Sequence, residues 1–115
     1  MSKDTTEVHE KLSQELRRGI LVLATLSQLD EAKYGYALIE ELSKRGLEID
    51  QGTLYPLLRR LEDQGLLESE WNVEGSRPRR YYQISSAGTQ LLDTLIEEWR
   101  MLVGVMEELL FTNKE

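Results

Sequence analysis

The sequence predicts a mainly α (α+β) fold, a winged helix-turn-helix with a two-stranded wing and a long C-terminal dimerisation helix. Three observations carry that prediction. Residues 51–65, Gln51-Gly-Thr-Leu-Tyr-Pro-Leu-Leu-Arg-Arg-Leu-Glu-Asp-Gln-Gly65, read as a short helix with polar groups at its start and an apolar stripe behind. An arginine-tipped hairpin follows, Glu74-Gly-Ser-Arg-Pro-Arg-Arg-Tyr-Tyr82. Beyond it, apolar residues recur in a 4-3-4-3 rhythm almost to the end of the chain, the spacing of a coiled-coil-like seam.

Each element follows from local chemistry. Val8, Leu12, Leu16, Ile20 and Leu23 recur at helical spacing, which places a first helix over residues 6–28. Its second half, Ile20-Leu-Val-Leu-Ala-Thr-Leu26, is apolar nearly all round and belongs in a core. Residues 30–33 read as a connection. A second helix spans 34–45, burying Leu38, Leu42 and either Ala37 or Ile39, and Gly46 stops it. Asp50 is a fitting N-cap for the third helix, accepting from the N–H of Gly52 or Thr53. Leu54, Leu57, Leu58 and Leu61 form that helix's buried stripe, Pro56 sits near its start, and Gly65 ends it. Residues 66–72 and 79–84 read as strands, with Gly75 and Pro78 marking the turn between them. Ser85 caps a last helix over 86–111, whose seam runs through Leu91 or Leu92, then Leu95, Trp99, Leu102, Met106 and Leu109. A single small winged-helix core cannot cover both faces of that helix. The surplus apolar surface, together with Val8, Leu12 and Leu16, predicts a homodimer.

The composition excludes several classes. With no cysteine and only His9 among the histidines, thiol chemistry, disulfides and ordinary zinc sites are absent, and the expected metal and cofactor set is none. The N-terminus lacks the apolar segment of a signal peptide, and the longest apolar run, residues 20–24, is far short of the ~18 residues a membrane helix needs. A cytoplasmic protein without membrane association is the expectation. Catalysis is not expected either. The pairs Glu97–Glu98 and Glu107–Glu108 are adjacent on a helix and do not converge, and no phosphate-loop or nucleophile-elbow motif occurs.

A net charge of −7 counts against nucleic acid until its distribution is read. Residues 51–81 balance 5 basic against 5 acidic side chains, and residues 75–84 contain no acid at all. Charges more than ~8 Å apart are largely screened at physiological salt, so a local basic patch on an acidic body can still hold phosphates. The recognition helix of a helix-turn-helix enters the major groove by its N-terminal part. That part offers Gln51 to read a base edge, Thr53 and Tyr55 to donate to phosphate, and Arg59 or Arg60 for a phosphate or a guanine. The other arginine of that pair is expected to be structural or paired with Glu62 or Asp63. On the wing, Arg77, Arg79 and Arg80 reach toward the sugar-phosphate backbone. Strand alternation sends Arg79 and Arg80 to opposite faces, so Arg77 and one of those two are the expected contacts. These readings make residues 6–85 a DNA-binding domain for double-stranded DNA and residues 86–111 a dimerisation helix. The alternative is a winged-helix protein-interaction module without DNA binding.

The chain resembles the PadR family of bacterial transcriptional regulators, in its short form with one C-terminal helix. The resemblance rests on Tyr34-Gly-Tyr-Ala-Leu38, Gly52-Thr-Leu-Tyr-Pro-Leu-Leu-Arg-Arg-Leu-Glu-Asp-Gln-Gly-Leu66, Arg77-Pro-Arg-Arg-Tyr-Tyr-Gln-Ile-Ser-Ser-Ala-Gly88 and Glu98-Trp99-Arg100, and it covers residues 15–102. It implies a homodimeric repressor that binds an inverted-repeat operator and often controls its own gene. It also implies DNA contacts at Thr53, Tyr55 and the wing arginines. Gln51 stands where many members carry proline. Some members release DNA when an aromatic or drug-like effector binds between the long helices, and Trp99 lies on the seam where such a molecule would stack.

Overall fold

A computed structural model of the protein describes residues 2–112. α1 (Ser2–Ser27) leads into a two-residue strand, β1 (Lys33–Tyr34), and then α2 (Gly35–Lys44) and α3 (Gln51–Asp63). The strands β2 (Leu67–Asn72) and β3 (Arg79–Ile84) form the wing, and α4 (Ser86–Phe111) closes the described chain. This is the predicted winged helix-turn-helix.

Cap chemistry sets the helix ends. Asp50 Oδ1 accepts from the Thr53 N–H at 2.8 Å, and that hydrogen bond holds the Asp50 carboxyl below the usual carboxylate range. Ser85 Oγ accepts from the Gly88 N–H at 3.0 Å and donates to the Gly65 carbonyl at 2.7 Å. One hydroxyl therefore starts α4 and ties it to the end of α3. Gly46 and Gly65 stop α2 and α3 at φ of +97° and +82°, a left-handed conformation that costs other residues about 1–2 kcal/mol.

Two elements differ from the sequence expectation. α1 begins at Ser2, ahead of the expected residue 6, because helical hydrogen bonding needs no apolar face and the periodic signal starts only at Val8. The expected connection at 30–33 also ends in a strand. Lys33 and Tyr34 of β1 pair antiparallel with Tyr82 and Tyr81, making a three-stranded sheet in the order β1-β3-β2. Two residues are too few to show alternation, so this strand is defined by its partner. Lys33 anchors it, donating to the Gln28 carbonyl at 2.5 Å and lying 3.6 Å from the Glu41 carboxylate.

The core gathers Leu54, Leu57, Leu58 and Leu61 of α3 with Leu38 and Leu42 of α2, and Leu67 and Tyr82 close it from the sheet. Fully burying each leucine contributes about 1.5–3 kcal/mol, which fixes α3 against the hairpin. From α1, Leu21 and Leu26 are buried, but Ile20 and Leu23 are only half-buried and face a cleft beside α4. The second half of α1 is thus buried on one side, not all round. α4 leaves the core early. Leu92 and Leu95 pack against it, whereas every residue from 97 to 112 is exposed. No helix among the described residues is long and apolar enough to cross a membrane.

Candidate nucleic-acid interface

Gln51, Tyr55 and Arg59 lie one helical turn apart and share a face of α3. The hairpin stands opposite that face, leaving an open cleft of ≈ 770 Å³ between them. Gln51, Tyr55 and Arg59 line one wall, and Arg77, Arg79 and Arg80 line the other. Six of the seven side chains singled out from the sequence therefore converge on one surface. Thr53 does not join them. Lying between Gln51 and Tyr55 in sequence, it is rotated to the far side of α3, into a second hollow beside Arg17 and Arg18 of α1. Arg17 donates to the Glu48 carbonyl and so steadies the link that leads into α3.

The arginines are not equivalent. Arg79 lies over the Tyr34 ring, 4.6 Å from its centroid, and the Tyr34 ring in turn packs against Tyr81 at 5.4 Å. This cation–π stack holds an exposed guanidinium in place without neutralising it. Arg80 is turned toward α3 and forms an ion pair with Glu62 at 3.0 Å. Arg59 and Arg60 differ from expectation: Glu62 takes Arg80 as its partner, and both α3 arginines are exposed with no ion pair among the described residues. The pairing partner of Glu62 lies 18 residues away on β3, which helix spacing cannot indicate.

Beside the buried Tyr82, sequence reasoning missed three accessible aromatic side chains in the same cleft: Tyr34, Tyr36 and Trp71. Trp71 is 62% exposed although it sits directly across from Arg80 on the ladder. Strand parity held the signal, since Leu67 is buried and residues 69 and 71 must share its face. Tyr34 owes its placement to the β1 pairing and Tyr36 stands in the first turn of α2; neither had such a signal.

Gly35 explains how Tyr55 reaches the cleft. A Cβ built at Gly35 would fall 2.1 Å from Cε1 of the Tyr55 ring, so only glycine lets the ring lie against the start of α2. Gly35→Ala must displace that ring, and overpacking of this kind costs about 1–3 kcal/mol. The expected outcome is a several-fold loss of duplex affinity with a retained, slightly lowered thermal transition. Anisotropy titration beside a melting curve checks this, and undiminished affinity would remove Tyr55 from the interface.

Comparison with known proteins gives the family to which this fold corresponds. Residues 22–94 match the model of the Transcriptional regulator PadR-like family. The chain is 42% identical over 81 residues to Transcriptional regulator Rv3488 of Mycobacterium tuberculosis, covering 70% of this chain and 73% of that protein. Among solved structures it is similar to a PadR family transcriptional regulator from Eggerthella lenta, with a TM-score of 0.86 and 45% identity over 96% of this chain and 99% of the other. A PadR-like transcriptional regulator from Bacillus cereus aligns with a TM-score of 0.75 and 28% identity, over 86% and 99% of the two chains.

Proposed function

The chain belongs to the PadR-like family of transcriptional regulators, and on that premise we propose that it is a homodimeric repressor gripping an inverted-repeat operator. The observation that carries the reading is the cleft in which one face of α3 and the arginines of the wing look toward the same space. A duplex laid there meets α3 in its major groove and the wing on the flanking backbone. Gln51 reads a base edge, Tyr55 and Arg59 hold the near groove wall, and Arg77 and Arg79 hold phosphates beside it. Thr53, on the far side of α3, serves the opposite wall. Residues 6–85 then bind DNA while residues 86–111 dimerise.

The dimer seam follows from what α4 leaves uncovered. Leu102, Met106 and Leu109 are exposed on α4, as are Val8, Leu12 and Leu16 on α1. Between the two helices runs an apolar groove of ≈ 640 Å³, with Leu95 at its base and Trp99 on its wall. At 1.5 Å per residue the exposed part of α4, residues 97 to 111, offers a stripe ~22 Å long, to which the exposed face of α1 adds, and a stable dimer needs about 1,600 Å² of total buried surface. The α4 helix of a second copy is the occupant that suits it. A small aromatic effector lodged against Trp99 between the copies would change the spacing of the two recognition helices and release the operator.

Fluorescence anisotropy on the duplex immediately upstream of the chain's own coding region tests the proposal, with a scrambled duplex as control and both at two salt concentrations. Tighter, salt-sensitive binding to the upstream duplex is the expected result. Equal, weak binding to both duplexes would leave the interaction-module alternative standing.

A further inference from the structure

Adjacent arginines on β3 leave the strand on opposite sides, and although both side chains reach the cleft, their surroundings differ. Arg79 rests on an aromatic ring with no carboxylate partner among the described residues. Arg80 enters a closed ring of hydrogen bonds. Its Nη2 donates to Glu62 Oε1 at 3.0 Å, its Nε donates to Ser69 Oγ at 2.9 Å, and Ser69 Oγ donates to Glu62 Oε2 at 2.7 Å. The guanidinium also lies 5.8 Å from the Trp71 ring centroid and 5.5 Å from that of Tyr82.

This ring joins three elements, with Glu62 near the end of α3, Ser69 on β2 and Arg80 on β3. The planar fork of an arginine fits two acceptors in fixed directions, so the ring specifies an angle as well as a contact. Leu67 and Tyr82 anchor the base of the hairpin in the core, but nothing beyond Arg80 and Trp71 toward the tip is buried. A two-stranded ribbon twists easily; the stack on Tyr34 ties Arg79 to β1, so the contact that ties the hairpin to α3 itself sets where the wing stands relative to that helix.

We propose that the Glu62–Ser69–Arg80 ring is a brace that sets the wing against the recognition helix, and that Arg80 is a positioning residue instead of a phosphate contact. The inference rests on the DNA-binding reading and changes which of its groups touch the ligand. Electrostatics supplies a test by sign. Removing an acidic group beside phosphates by itself tightens DNA binding, and freeing Arg80 would add a contact. A brace predicts the opposite.

The full chain is titrated against the upstream duplex over a salt series, as wild type, Glu62→Gln, Arg80→Met and the double variant. Expected for Glu62→Gln and for Arg80→Met is a loss of affinity of about five- to tenfold, with the double variant within about twofold of either, because both break one ring. The slope of log affinity against log salt should stay unchanged in each, whereas a lost phosphate contact removes ~0.9. Tighter binding with a steeper slope in Glu62→Gln, or a flattened slope in Arg80→Met, would overturn the brace and restore Arg80 to the contacts. Amide exchange across residues 70–80 reads the same ring without DNA. Faster exchange in Glu62→Gln is expected, and unchanged exchange refutes the brace. If wild type shows no salt-sensitive duplex binding, the DNA reading fails while amide exchange still decides the brace.

Discussion

Replacing Arg77 and Arg79 together by methionine is expected to weaken duplex binding by roughly a hundredfold for each bound protomer, the loss of two charge-assisted hydrogen bonds at about 1.4 kcal/mol each. Both side chains are exposed on the wing, and Arg79 rests on a tyrosine ring that methionine can still cover. The fold should therefore persist, with an unchanged far-ultraviolet circular dichroism spectrum. The salt dependence carries more information than the affinity. Each phosphate contact contributes ~0.9 to the slope, so the double replacement flattens it by about 1.8 if one protomer is bound and about 3.6 if a dimer is bound. One titration series thus tests the wing contacts and the stoichiometry together. An unaltered slope would mean that the wing does not meet the backbone.

Leu102→Asp combined with Met106→Asp is expected to turn the proposed dimer into a monomer of 13.3 kDa with its winged-helix core intact. Each aspartate would be trapped in the seam without a partner, at a cost of several kcal/mol, which raises the dimer dissociation constant by more than about a thousandfold. In the single chain both positions are open, Leu102 at 58% and Met106 at 45%, so the same changes cost the monomer little. Sedimentation equilibrium gives the mass and a thermal melt reports the fold. Operator affinity should fall as well, because two linked half-sites bind more tightly than two separate ones. A variant that remains a dimer would place the interface elsewhere. Leu95 is a poorer probe, since it packs against its own core and its replacement would mix unfolding with dissociation.

Much of the architecture was legible beforehand because its causes are local. The Asp50 and Ser85 caps, the stripe Leu54, Leu57, Leu58 and Leu61, and the glycine stops at Gly46 and Gly65 all act within a few residues. The hairpin was legible for the same reason, since a turn and two alternating runs are contiguous. Distant pairings carried no such trace. Gly35 matters only because Tyr55, twenty positions later, must lie against it.

The sequence by itself determined the family, the succession of helices and wing, and the concentration of basic groups in residues 51–81 on an otherwise acidic chain. Helical period, cap chemistry and strand alternation are properties of neighbouring residues, so one dimension is enough to read them. Only the tertiary structure decided that Lys33 and Tyr34 make a strand, that Thr53 turns away from the cleft, and that Trp71 enters it. It alone separated Arg79, charged and exposed, from Arg80, held by Glu62 and Ser69. Those outcomes depend on which residues far apart in the chain come within hydrogen-bonding distance. Folding sets that distance, and no local pattern records it.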